Sequence, residues 1–262
     1  MARQPTFFIP HGGGPCFFMD DPSNTWRGMA DFLRSLPGRL ATPPKAILVV
    51  SGHWETQGFA LTSAAAPKLL YDYYGFPPFT YQLAYPAPGA PGVAEQAKTL
   101  LGNAGLAVAL DHDRGLDHGV FVPLKVAFPD AGIPVVEMSV DRGLEPALHL
   151  AAGRALAPLR DRGILIVASG MSFHNMRGYR DPRFTKPSEG FDGWLTESVA
   201  LPGDARAARL KKWEEAPAAR LSHPAAEHLL PLMVAAGAAE GPGERIYSEQ
   251  VMKTALSGFR FD

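Results

Sequence analysis

Eight histidines are spread through the 262 residues, and three of them follow apolar, strand-like runs. His11 comes after TFFIP, His53 after AILVVSG and His174 after ILIVASGMSF. In open α/β sheets, ligands bind in the crevice beyond the carboxyl ends of the strands. Three imidazoles delivered there from distant parts of the chain can converge on one metal ion or one reacting group. Any one of them alone would ordinarily be a loop residue or a packed side chain, so the weight lies in their shared position.

The residues around them narrow the chemistry. His11 is followed by Gly12, Gly13, Gly14 and Pro15, where glycine permits a sharp turn and a close approach of backbone to ligand. A phosphate loop would need a GKS or GKT ending and a dinucleotide fold G-x-G-x-x-G, and neither is present. Glu55, in SGHWE, is read as a solvated loop carboxylate in preference to a partner that orients an imidazole. His118, in LDHGVFVPL, precedes an apolar helical run and suits an acid or base acting on a bound substrate. The opposing reading, a helix capped by Asp117 with His118 incidental, is equally open.

The last constellation is SHPAAEHLLPLM, Ser222 to Met233, read as a helix with Pro224 in its first turn. Glu227 and His228 then point about 100° apart, so only one of them faces a given metal. Two histidines and a carboxylate with open positions suit iron(II) and favour Glu227. Three histidines favour His228 and also suit zinc. The residues alone leave that choice open. His112, His149 and His223 are given structural roles, and Cys16 is read as a small packed thiol.

The elements that must position these groups alternate along the chain. Candidate strands are Thr6 to Pro10, Ala46 to Ser51, Ala107 to Leu110, Pro134 to Val140 and Ile164 to Ala168, apolar nearly throughout as strands covered on both faces should be. Candidate helices lie at Trp26 to Ser35, Gly92 to Leu101, Phe121 to Ala127 and Glu145 to Leu159. The expected fold is one α/β domain over residues 1–262, with a central, largely parallel or mixed sheet flanked by helices on both faces. Tyr71 to Pro91, YDYYGFPPFTYQLAYPAPGAP, has neither period and reads as a core-covering loop, a wall of an aromatic-binding pocket, or both.

Composition sets outer bounds. With 46% hydrophobic and 19% charged residues the chain can bury a full core. A net charge of -1 with no block of one sign argues against a nucleic-acid or membrane partner. No apolar run approaches the roughly 20 residues of a membrane helix. One cysteine and no signal-peptide pattern predict a soluble, cytoplasmic protein. Homo-oligomer formation is left open.

Taken in order, FIPHGGGPCFF, ILVVSGHWET, YDYYGFPP with YPAPG, LDHGVFVPL, ILIVASGMSFHN and HPAAEHLLPL resemble the class III extradiol ring-cleavage dioxygenases, in the branch similar to 4,5-DOPA dioxygenase. The resemblance runs from about residue 7 to about residue 235. It implies a mononuclear non-haem iron(II), a catechol-type aromatic diol as substrate, and insertion of both atoms of O2 beside the two hydroxyls. His11 and His53 match the metal histidines and His228 the third ligand of this branch. Glu227 remains the alternative, because related protocatechuate-type enzymes use a glutamate. His118 and His174 match the two catalytic histidines beside the metal, with His174 expected to reach the metal where zinc fills the site. HGGGP departs from the HGSP of many members, which predicts an altered pocket floor and blocks transfer of a relative's exact substrate. Two competing functions are a zinc-dependent hydrolase and a non-catalytic protein that binds a metal or an aromatic ligand.

Overall fold

In the computed structural model, which describes residues 2–262, the apolar runs become strands of one eight-stranded sheet. They are β1 (Thr6–Pro10), β2 (Ala46–Thr56), β3 (Phe59–Thr62), β4 (Val108–Asp111), β5 (Val135–Asp141), β6 (Ile164–Gly170), β7 (Gly243–Val251) and β8 (Thr254–Phe261). Their spatial order is β4-β3-β5-β2-β6-β1-β8-β7. The central strands β5, β2, β6 and β1 run parallel. At one edge β8 and β7 add antiparallel; at the other, β3 is antiparallel to β5 and parallel to β4. The sheet is therefore mixed with a parallel centre, which puts several strand carboxyl ends on one side.

The helices are α1 (Arg27–Ser35), α2 (Pro91–Asn103), α3 (His118–Ala127), α4 (Pro146–Leu156), α5 (Pro158–Asp161), α6 (Thr185–Val199), α7 (Gly203–Leu210), α8 (Ala219–Ser222) and α9 (Leu230–Gly237). Alternating residues of the central strands divide between two cores, as the two-residue period of a strand requires. Phe8, Leu48, Val50, Val136 and Ile166 pack toward α2, α4, α6 and α9. Phe7, Ile9, Ile47, Val49 and Val167 pack toward α1, α3 and the tyrosine-rich segment. Helices thus cover both faces.

Three local expectations are corrected. The Glu145 to Leu159 run breaks into α4 and α5, because Pro158 has no N–H to continue the first helix and instead opens the second. The hairpin β7–β8 and the short strand β3 were absent from the sequence reading. Most consequential, no helix spans Ser222 to Met233. The chain leaves α8 at Ser222, turns through 223–229 and enters α9 at Leu230. Pro231 cannot donate to the Glu227 carbonyl, and the His228 carbonyl accepts from the Met171 N–H at 3.0 Å instead of from its own helix. Glu227 and His228 therefore sit in a turn, where the 100° separation of a helix does not apply.

Candidate active site

Each histidine reaches the cleft by a different device. His11 is the first residue after β1, and Gly12 behind it has φ +80; a Cβ there would lie 2.9 Å from the Phe17 ring and closer still to Cys16 Sγ. His53 lies within β2, which runs on to Thr56, but in an irregular stretch where Val50 to Glu55 spans only Met138 to Val140 of β5. Such an irregularity re-aims a side chain, and His53 lines the cleft. His228 arrives in the turn pressed against the sheet at two glycines. A Cβ on Gly52 would lie 2.9 Å from the Glu227 carbonyl oxygen, and one on Gly170 would overlap the His228 carbonyl oxygen at 2.1 Å. Both belong to Ser-Gly pairs in neighbouring strands, Ser51 opposite Ser169, so the repeated SG at strand ends was a signal available in the sequence.

These imidazoles converge. Ring centroids of His11 and His53 are 4.8 Å apart, His11 and His228 5.2 Å, and His53 and His228 4.6 Å. His11 is buried, yet neither ring nitrogen has a hydrogen-bond partner. Leaving buried nitrogens unmet costs on the order of 1–3 kcal/mol each, so an isolated protein would not favour this arrangement. His53 Nε2 and His228 Nε2 face each other at 3.1 Å. The His228 proton is committed to Nδ1, which donates to Glu227 Oε1 at 3.0 Å, leaving Nε2 as a lone pair. Such a separation is what two imidazoles would show on one ion at roughly 2.0–2.1 Å from each. The donor set fits a metal.

Electrostatics agree. Burial, followed by neighbouring histidines, holds His11 well below the ordinary imidazole range. Burial and His118 lower His53 to about 4. Burial also drives His228 well down despite the hydrogen bond to Glu227. All three are neutral bases at physiological pH, the form that binds metals. Burial raises Glu227, but hydrogen bonds from His174 and His228 outweigh it and hold the carboxyl below its usual range.

The other two histidines are anchored by carboxylates. His118 is the first residue of α3; its backbone N–H donates to Asp72 Oδ1 at 2.9 Å and its Nδ1 to the same oxygen at 2.8 Å. Asp117 makes no capping bond. Its carboxylate accepts instead from Ser51 Oγ at 2.9 Å and Arg114 at 3.0 Å. His174 Nδ1 lies 3.2 Å from Glu227 Oε1, and its ring stacks on His228 with centroids 3.5 Å apart. Two groups of candidate ligands result, His11 with His53 and His118, and His174 with Glu227 and His228. Asp72 was missed by sequence reasoning, because its partners are remote in the chain and it carries no motif of its own.

Before these groups lies a cleft of about 690 Å³ bordered by His11, His53, His118 and His174. Trp26, Tyr73, Tyr74, Phe76, Met176 and Arg180 form much of its outer wall. The segment Tyr71 to Pro91 both covers the core and walls the cleft: Tyr73 and Tyr85 are buried, while Tyr73, Tyr74 and Phe76 line the cleft. The remaining histidines keep structural partners. His112 bonds Ser63, His149 bonds Glu145 and Asp141, and His223 Nε2 donates to the Ser172 carbonyl. Glu55 is exposed, and Cys16 is a buried free thiol at the cleft floor whose burial raises its pKa to about 12.

A mixed α/β sheet thus carries a cluster of histidines at its strand ends, a donor set that could hold a metal ion, with an aromatic-walled cleft before it. The profile described as the catalytic LigB subunit of aromatic ring-opening dioxygenase matches residues 5–259, and the chain belongs to this family of class III extradiol dioxygenases. It is 40% identical to a 4,5-DOPA dioxygenase extradiol of Beta vulgaris, over 89% of this chain and 86% of that one. It is 35% identical to the protein of the same name from Escherichia coli (strain K12), over 92% and 87%. Dioxygenase tasH of Hapsidospora irregularis is 38% identical over 96% and 83%. A crystal structure of an uncharacterized Escherichia coli K12 protein superposes with a TM-score of 0.79 at 30% identity, covering 99% of this chain and all of that one. Membership of this family supports an aromatic ring-opening oxygenase. Among the described residues, no helix is long and apolar enough to cross a membrane.

Proposed function

We propose that residues 1–262 act as one catalytic domain, an iron(II)-dependent extradiol dioxygenase that opens the ring of a catechol-type substrate with O2. His11, His53 and His228 are assigned as the metal ligands, and His118 and His174 as the groups that move protons. The observation that carries this reading is the pair of facing Nε2 atoms on His53 and His228 beside a His11 whose ring nitrogens are both unpartnered. It also supports His228 over Glu227 as third ligand, since Glu227 is engaged with the Nδ1 atoms of His228 and His174. Relatives named 4,5-DOPA dioxygenase support a DOPA-like dihydroxyphenyl substrate. The lone, buried Cys16 is compatible with a reducing cytoplasm, where iron(II) persists.

When bound, iron(II) supplies Lewis acidity that eases loss of the catechol protons and an electron path from ring to O2, and zinc can fill the same nitrogen site without that path. The protein does the rest. Aromatic side chains of the cleft hold the ring by stacking and edge contacts. With Nδ1 anchored on Asp72, His118 keeps Nε2 to accept a proton from a catechol hydroxyl. His174, anchored on Glu227, is placed to return a proton as the O–O bond breaks. A ring bond just outside the diol is cleaved and both oxygen atoms enter the product. The substrate supplies all the electrons, so no further reductant is required.

The test loads the protein with iron(II) without air, adds a catechol, and then admits oxygen. A yellow ring-opened product is expected with iron, and none with zinc or with His11→Gln. Failure with every catechol offered, including DOPA, would refute the assignment.

A further inference from the structure

The two carboxylates behind the histidines are arranged alike. Glu227 Oε1 touches Nδ1 of a proposed ligand, His228, at 3.0 Å and Nδ1 of a cleft histidine, His174, at 3.2 Å. Asp72 faces Nδ1 of a proposed ligand, His53, through Oδ2 at 3.6 Å and holds Nδ1 of a cleft histidine, His118, through Oδ1 at 2.8 Å. The second carboxylate comes from the irregular tyrosine-rich segment, which also walls the cleft. We infer that Asp72 is a positioning residue for the reaction: it fixes His118 in the Nδ1–H tautomer and locks the ring so that Nε2 is presented to the substrate.

A carboxylate can only accept, so an imidazole nitrogen bonded to it must carry the proton. Two donors of one residue, the His118 backbone N–H and Nδ1, meet on the single oxygen Oδ1, which pins the first turn of α3 and the ring together. His118 is almost buried, and its ring sits over His53 with centroids 3.9 Å apart. Without the acceptor, Nδ1–H would have no fixed partner and Nε2–H would become competitive. A ring protonated at Nε2 cannot accept a substrate proton there. Asp72 Oδ2 approaches His53 only to 3.6 Å, beyond hydrogen-bond distance, so its direct hold is on His118, the arrangement by which carboxylates behind functional histidines fix tautomer and ring orientation.

The inference rests on the proposed role of His118, and the experiment separates the two. In zinc-loaded protein labelled with ¹⁵N-histidine, the His118 signals, assigned by their loss in His118→Gln, are expected to report the Nδ1–H tautomer. In Asp72→Asn and Asp72→Ala they are expected to shift toward Nε2–H or a mixture. With iron, both variants should keep KM and metal content near the unaltered values while kcat falls about 10- to 100-fold. An Nε2–H tautomer in the unaltered protein overturns the inference without any variant having to fold. So does an unchanged tautomer in both variants, or a kcat loss that only follows metal loss. If no catechol is turned over, the proposed reaction fails while the tautomer measurement still decides the role of Asp72.

Discussion

His53 Nε2 and His228 Nε2 lie 3.1 Å apart although 175 residues separate them in the chain. The contact is held from behind. Gly52 and Gly170 leave room for the 227–228 turn to rest on β2 and β6, and the Met171 N–H fixes the His228 carbonyl. The Nε2 lone pair of His228 is directed at Nε2 of His53, a spacing that two imidazoles sharing one metal ion would have, which is why this contact ties the fold to the chemistry.

Metal affinity should separate ligand from supporting carboxylate. Substituting His11→Gln or His228→Gln is expected to abolish stoichiometric binding, whereas Glu227→Gln should retain the metal with about 10- to 100-fold weaker affinity. Anaerobic titration with a competing chelator checks this. Equal losses in Glu227→Gln and His228→Gln would put the carboxylate on the metal.

Replacing the cleft histidines should spare the metal. His118→Gln and His174→Gln are each expected to lower kcat by roughly 10²- to 10⁴-fold, the usual worth of positioned proton transfer. Metal analysis beside steady-state kinetics reads both quantities. Loss of metal in either variant would make that residue a ligand.

Much of the frame was legible in the sequence, because the buried strands β1, β2, β5 and β6 are apolar on both faces and need no partner to be recognised. The edge hairpin was not. β7 is polar at most positions, and its two-residue turn places Met252 and Lys253 at φ 47 and 69 without the Asn-Gly pair that ordinarily marks such a turn. The strand-end histidines were visible by position. Asp72 was not, since a carboxylate is recognised only by what it touches, and its contacts are made 46 residues away at His118. The turn at Glu227 and His228 was misread as helix because Pro224 and the leucines that follow mimic a helix start.

The glycines under that turn should resist substitution. Gly170→Ala puts a methyl group 2.1 Å from the His228 carbonyl oxygen, backbone that cannot swing aside. A destabilisation of about 1–3 kcal/mol is expected, with metal affinity lost as the turn lifts. Urea unfolding and metal titration check the two effects. Gly102→Ala, where a Cβ meets nothing within 4 Å, serves as the control.

Acid should weaken the fold through a buried histidine outside the proposed ligand set. Burial lowers His223 to about 4, against 6.5 when unfolded. The unfolded chain therefore binds a proton between those values that the folded chain refuses. Stability from this group is complete above pH 6.5 and falls as pH drops toward 4, by an amount on the order of 3 kcal/mol. Urea unfolding at pH 7.5 and 5.0 should show the loss, and His223→Gln should reduce it. An unchanged slope in the variant would assign the acid sensitivity to other groups.

The central claim is tested most directly at an oxygen electrode. Iron-loaded protein given a catechol is expected to consume O2 mole for mole with the diol, in the absence of any reductant, as the ring-opened product appears. Oxygen uptake without ring opening, or no uptake together with zinc-dependent hydrolysis of an ester or amide, would contradict it.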